Sequence, residues 1–280
     1  MKKNKLKYIL RFNWAIISIL LLGFFYIILF NPNSYIITIN SVKVASEYQS
    51  LKNKEKRLTN DTETLIQENI PLYQTVDSNN TSIEEKFQAI TKIQENTNNI
   101  IQKLYENKEI HEKLIILELP EDLNLEITDG YNEIETTLQK FTNHNVYLQA
   151  QVDYLKIRVA FEKVESCIHD IDYNNLSDNE ISNNIKSCTS NYSEIISQIE
   201  SVENTYNESL TSIKAFVNET GEKYKNSELL YQALSDENFE NSKRFHRLYS
   251  ESEEELKKMD TGRVWFEYKS KILDKLWSEG

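Results

Sequence analysis

The sequence predicts an all-α fold: one N-terminal transmembrane helix, followed by an elongated extracytoplasmic helical bundle of antiparallel coiled-coil hairpins. Three observations carry this. Trp14 to Phe30 (WAIISILLLGFFYIILF) runs seventeen residues without a charge. The 280-residue chain holds only five glycines and three prolines, too few breakers for the tight turns of a sandwich, barrel or doubly wound sheet. Downstream, apolar residues recur at heptad spacing over several segments.

The N-terminal residues 1–13 form a short basic end, with Lys2, Lys3, Lys5, Lys7 and Arg11 and no acid. Residues 14–30 follow as the span, about 26 Å long at helical rise, the short end for crossing a bilayer. Leu10 and Phe12 can lengthen it while Arg11 snorkels to the headgroups. The apolar stretch exceeds that of a signal peptide, and Phe30-Asn31-Pro32-Asn33-Ser34 offers no small-x-small cleavage site, so the reading is a retained anchor. The basic flank belongs on the cytoplasmic side. That places the chain in the inner (cytoplasmic) membrane, its N-terminus in the cytoplasm and its bulk in the periplasm or outside the cell.

Residues 31–262 read as the bundle. Asn31-Pro32-Asn33-Ser34 ends the span; Tyr35 to Val44 is β-branched and fits either a short strand or a helix start. A polar helix is expected from about Ser46 to Asn69, stopping at Pro71, with a loop over Val76–Thr81. A second helix runs from Ser82 to Leu119. Pro120-Glu121-Asp122 then carries the proline and first-turn acids of a helix start, and the third helix reaches about Asp170. Its two core positions are Ile134, Phe141, Leu148 and Leu155, and Leu138, Val152 and Val159. A fourth helix from about Asn179 alternates Ile181, Cys188, Ile195, Val202 and Phe216 with Ile185, Tyr192, Ile199, Tyr206 and Ile213. Another helix is expected over Gly221–Met259.

The polar stretch Asp172–Asp178 marks a hairpin tip near 172–178. Antiparallel helices joined there bring together residues whose numbers add to about 352–355, and those of Cys167 and Cys188 add to 355. The same rule sets Val152 near Val202 and Leu148 near Tyr206. A Cys167–Cys188 disulfide follows in an oxidising compartment, stabilising the hairpin by roughly 3 kcal/mol on a chain-entropy estimate.

Composition excludes several classes. Net charge is −12, and with five basic residues at the N-terminus the rest of the chain carries −17, which repels nucleic acid and anionic headgroups. No phosphate-binding glycine loop, GxSxG or HExxH is present. Cys167, His169 and Cys188 lack a fourth ligand for zinc. Carboxylates such as Glu253-Glu254-Glu255 read as a solvated helix face. No catalytic, cofactor or metal site is therefore expected, and the protein reads as a non-enzyme.

The last segment, 263–280, reads as an amphipathic helix, with Trp265, Tyr268, Ile272 and Leu276 on one face and Phe266, Leu273 and Trp277 beside them. Its basic residues, Arg263, Lys269, Lys271 and Lys275, outnumber Glu267 and Asp274. It is either the last helix of the core, a partner-docking element or a membrane-surface helix. The expected partners are other membrane or envelope proteins and the bilayer through residues 14–30, with no nucleic acid and a possible homo-oligomer. The expected role is a membrane-anchored structural or adaptor subunit of a cell-envelope assembly acting by protein–protein contact. The alternatives are a periplasmic sensor or regulator signalling through a membrane partner, and a phage- or plasmid-encoded envelope protein affecting lysis or entry.

Overall fold

The computed structural model describes residues 42–117, 119 and 121–279. The expected span at 14–30 and the strand-or-helix segment up to Ser41 lie outside them. Among the described residues no helix is long and apolar enough to cross a membrane. The described chain is helical throughout, with no strand: α1 Val42–Asp77, α2 Ile83–Ile115, α3 Glu121–His169, α4 Asp178–Thr189, α5 Tyr192–Tyr206, α6 Thr211–Ser235, α7 Phe239–Lys258, α8 Thr261–Tyr268, a π-helical turn Lys269–Leu273, and α9 Asp274–Glu279.

Two compact units share these helices. Unit 1 takes residues 42–62 and 102–139, and unit 2 takes 63–101 and 140–279. In unit 1, α1 sets Val44, Tyr48, Leu51 and Leu58 at seven- and four-residue intervals, one face of a helix, against Ile110, Leu114, Leu119 and Ile127. That apolar seam is interrupted by charge. Glu55 and His111 are each only 2% exposed, with His111 Nε2 3.4 Å from Glu55 Oε1 and Nδ1 3.0 Å from the Ile127 carbonyl. Both ring nitrogens thus face acceptors. Lys52 Nζ forms an ion pair with Glu55 Oε2 at 2.8 Å. Burial alone would raise the Glu55 carboxyl; the His111 hydrogen bond and Lys52 outweigh it and hold the group below its ordinary range. Gly130 makes room for this pair, since a Cβ there would stand 2.7 Å from His111 Cε1.

Unit 2 holds the larger core. Ile157, Phe161, Val164 and Ile168 of α3 meet Ile181 and Ile185 of α4, Ile195, Ile199 and Val202 of α5, and Ile213, Phe216 and Val217 of α6. A second cluster joins Ile90 and Ile93 of α2 to Leu148 of α3, with Leu72, Tyr73, Val76, Val152 and Leu155 around it. One long helix therefore faces two sets of neighbours. Leu148 and Val152 turn to the α1–α2 side, which corrects their expected pairing with Tyr206 and Val202. The antiparallel rule holds nearer the tip, where the Phe161 and Tyr192 rings lie 6.4 Å apart.

Three expected boundaries move. Helix α1 does not stop at Pro71, which lies inside it. The ring sits on an exposed face and removes one backbone hydrogen bond, while Leu72, Tyr73 and Val76 still anchor the last turn in the Ile90–Leu148 cluster. The expected fourth helix is broken into α4, α5 and the start of α6. Asn207 takes the left-handed conformation at φ 51°, which asparagine tolerates, and the Glu203 carboxylate accepts the Leu210 N–H at 2.7 Å. The expected helix over 221–259 is likewise two. Gly221 lies mid-helix beneath the Tyr192 ring, and the break falls at Glu237, φ 53°, before the Asn238 side chain accepts the Asn241 N–H.

Candidate interaction sites of unit 2

The hairpin tip is built from local rules. Asp172 accepts from Asn174 N–H at 3.2 Å and Asn175 Nδ2 at 2.6 Å, closing the turn after α3. Ser177 and Glu180 then form a reciprocal capping box that starts α4. Cys167 and Cys188 are joined as a disulfide with Cα atoms 5.6 Å apart, as their placement about the turn predicts. With both sulfurs in that bond, neither is a thiolate ligand, and no cluster of metal-binding side chains occurs among the described residues.

Beside the tip lies a group that the sequence reading did not single out. Tyr173 from the turn stacks at a tilt on Tyr231 of α6, ring centres 5.8 Å apart. Burial is the main cause that raises the phenols of Tyr173, Tyr231 and Tyr249, and Tyr249 of α7 acts on both of the others. Lys223 Nζ sits 5.4 Å from the Tyr249 ring centre. Tyr173 is 40% exposed, and Phe239, at the α6–α7 turn, is 67% exposed. No short-range spacing links these residues, because they come from three elements.

The C-terminal segment packs on the core of its own unit. Asp260 caps α8 by accepting the Arg263 N–H, and Val264, Tyr268, Ile272 and Leu273 are buried against the α3–α6 core. Ile272 and Leu273, both buried, lie in the π turn. Tyr268 donates its hydroxyl to the Ala150 carbonyl at 2.8 Å, and burial pushes its phenol up. Trp265 lies among Phe161, Phe216 and Tyr154, with the Arg158 guanidinium 4.7 Å from its ring centre. Leu276 is partly buried, and Trp277 sets its edge on Tyr147 at 5.3 Å.

Its charges are also used internally. Glu267 Oε2 accepts the Ser212 and Ile213 N–H groups, capping the first turn of α6, which has no side-chain cap of its own. Lys271 donates to the Ser209 carbonyl and to Glu267, and Lys275 pairs with Glu208 at 2.7 Å. Of the seven side chains expected to dock a partner, Tyr268, Ile272 and Leu273 are thus spent on the core, Trp265 and Leu276 are half spent, and Phe266 and Trp277 remain 51% and 39% exposed. A shallow cleft of about 520 Å³ beside this segment is lined by Asn145, Gln149, Tyr206, Lys271, Lys275 and neighbours.

Two histidines each make hydrogen bonds inside their own unit. Besides His111, His144 makes a 2.8 Å hydrogen bond with the Tyr73 hydroxyl and stacks on Tyr147. Burial pushes its pKa down to about 4, so near neutrality it is an uncharged ring able to accept the phenol proton.

Fold and sites define an all-helical bundle protein with a disulfide-stapled hairpin. Compared with known protein families, curated proteins and solved structures, the chain matches none.

Proposed function

We propose that the chain is a membrane-anchored structural or adaptor subunit of an envelope assembly, acting by protein–protein contact. Residues 14–30 hold it in the inner membrane, the basic residues 1–13 stay in the cytoplasm, and the helical units stand on the other side. The observation that carries the contact reading is where large apolar side chains are left uncovered. Ile116 and Leu125 of unit 1, and Phe239, Phe266, Trp277 and Tyr173 of unit 2, are exposed. Aromatic residues are the type most enriched at interface hot spots.

The test is crosslinking in native membranes followed by mass spectrometry. One stoichiometric envelope partner is the expected result; recovery of lipid and bulk protein alone would overturn the contact reading. Topology is tested separately in bacteria. A C-terminal alkaline phosphatase fusion is expected to be active and a C-terminal GFP fusion dark, and the reverse would overturn the orientation.

A further inference from the structure

We propose that the tyrosine pair at the disulfide tip, Tyr173 and Tyr231 with the carboxylates around it, is a docking surface for a basic partner segment presenting arginine or lysine. The proposal rests on the contact reading above and assigns it a place and a chemistry.

The rings come first. Tyr173, 40% exposed, and the half-buried Tyr231 form a tilted pair, and an aromatic ring presents electron-rich faces that attract cations. Elsewhere in unit 2 the chain supplies those cations itself: Lys223 lies over Tyr224 and Tyr249, and Arg158 over Tyr154 and Trp265. Among the described residues, Tyr173 and Tyr231 have no such internal cation. Burial raises both phenols, so they stay neutral near pH 7 and act through ring and hydroxyl rather than as anions.

Charge sets the sign of the partner. Val164 to Ile185 carries Glu165, Asp170, Asp172, Asp178 and Glu180 and no lysine or arginine. Three of these have local duties: Glu165 accepts the Tyr224 hydroxyl, Asp172 closes the turn and Glu180 completes the capping box. Asp170 and Asp178 make no ion pair among the described residues. Asp178 lies close enough to Tyr231 to add to the effect of burial in raising its phenol. Neutral aromatic faces beside unpaired carboxylates match a guanidinium or ammonium and repel an anionic headgroup or a nucleic acid. The disulfide and the capping box hold the turn in place, so little ordering is left for the binding step.

The experiment uses the full-length protein in detergent and a fluorescein-labelled Gly-Ser peptide with regularly spaced arginines, read by anisotropy. Its citrulline counterpart, of the same shape without the charge, is the control. The arginine peptide is expected to bind and the citrulline peptide not. Tyr173→Ala with Tyr231→Ala is expected to weaken binding about tenfold, and Tyr173→Phe with Tyr231→Phe to stay within about twofold. Asp170→Asn with Asp178→Asn is expected to weaken it more than Glu106→Gln with Glu109→Gln, an equal charge change on α2. These surface exchanges leave the core intact, so they decide the matter even if the alanine pair unfolds the tip.

Equal binding by wild type and the tip variants would overturn the proposal. So would concentration-dependent dimerisation lost in the same variants without peptide binding, which would give the surface to a second copy. Repeating the native crosslinking with the tip variants separates the two readings. A partner still recovered overturns this surface and leaves the contact reading standing. No partner from wild type, with the peptide still bound, overturns the contact reading and leaves the surface.

Discussion

The two units solve the same packing problem with different interiors. Unit 1 closes around a short apolar seam broken by Glu55, Thr59, Thr62, Asn107 and His111, and its buried set includes a carboxylate hydrogen-bonded to an imidazole. Unit 2 closes around isoleucine, phenylalanine and tyrosine, and its buried polar residues are neutral serine, threonine and asparagine, as where Asn96 donates to Asn69 at 2.9 Å. A core of the second kind gains from every methylene it buries. A core of the first kind depends on each polar partner being present, because an orphaned charge out of water is penalised far more than a lost apolar contact.

That difference is broken most directly at Glu55. Glu55→Ala leaves His111 and Lys52 without their carboxylate and is expected to destabilise unit 1 by about 3–5 kcal/mol. Replacing Glu55 and His111 together by leucine is expected to cost much less, since the two buried polar groups go together and Lys52, its side chain 26% exposed, can turn to water. Hydrogen exchange resolved by unit is the measurement, because two units need not unfold together. A double replacement as damaging as the single one would show that the polar pair itself, and not its satisfaction, holds unit 1.

The disulfide tests whether unit 2 depends on a covalent link as unit 1 depends on its ion pair. Cys167→Ser with Cys188→Ser is expected to lower unit 2 stability by roughly 3 kcal/mol in denaturant titration, with helical circular dichroism retained because the isoleucine core is untouched. Loss of helicity would mean that the core alone does not hold α4 against α3.

Acid separates the units by pH window. His144 titrates near 6.5 when unfolded and about 4 when folded, so the folded state refuses a proton that the unfolded chain takes. Unit 2 stability is therefore full above about 6.5 and declines as pH falls toward 4, by roughly 3 kcal/mol at most. His144→Phe is expected to flatten that slope. Glu55 has the usual carboxylate sign: its contribution to unit 1 is present above its ordinary value of 4.5 and is lost as pH falls through its lower folded value. Unit 2 is thus expected to weaken first on acidification. Exchange protection falling first in unit 1 would contradict both assignments.

The smallest expected effect is at Tyr268. Tyr268→Phe removes one hydroxyl from the Ala150 carbonyl and keeps the ring, a loss of about 1 kcal/mol. A shift several times larger would show that unit 2 also leans on single polar contacts.

These interiors were unequally legible in the sequence. Few breakers and heptad spacing foretold helices throughout, and the cysteine placement foretold the disulfide. The α4–α5 and α5–α6 breaks were hidden because Ile181, Ile185, Ile195, Ile199, Val202 and Ile213 stay in core register on both sides of them. Only Asn207, a residue at ease with positive φ, signalled the second. The C-terminal segment was legible as amphipathic but not in its destination, since Lys271 and Lys275 look like a basic flank until Glu267 and Glu208 are seen beside them. Glu55 and His111, fifty-six residues apart, gave no local sign of being partners.

The Cys167–Cys188 bond also changes what a cut can do. A protease entering at the exposed turn around Asn174 and Asn175 would sever the backbone between α3 and α4, yet leave both pieces joined through sulfur. Such a nicked molecule would run as one species until reductant is added and as two afterwards. Whatever the tip holds would stay tethered after the chain beneath it had been cut.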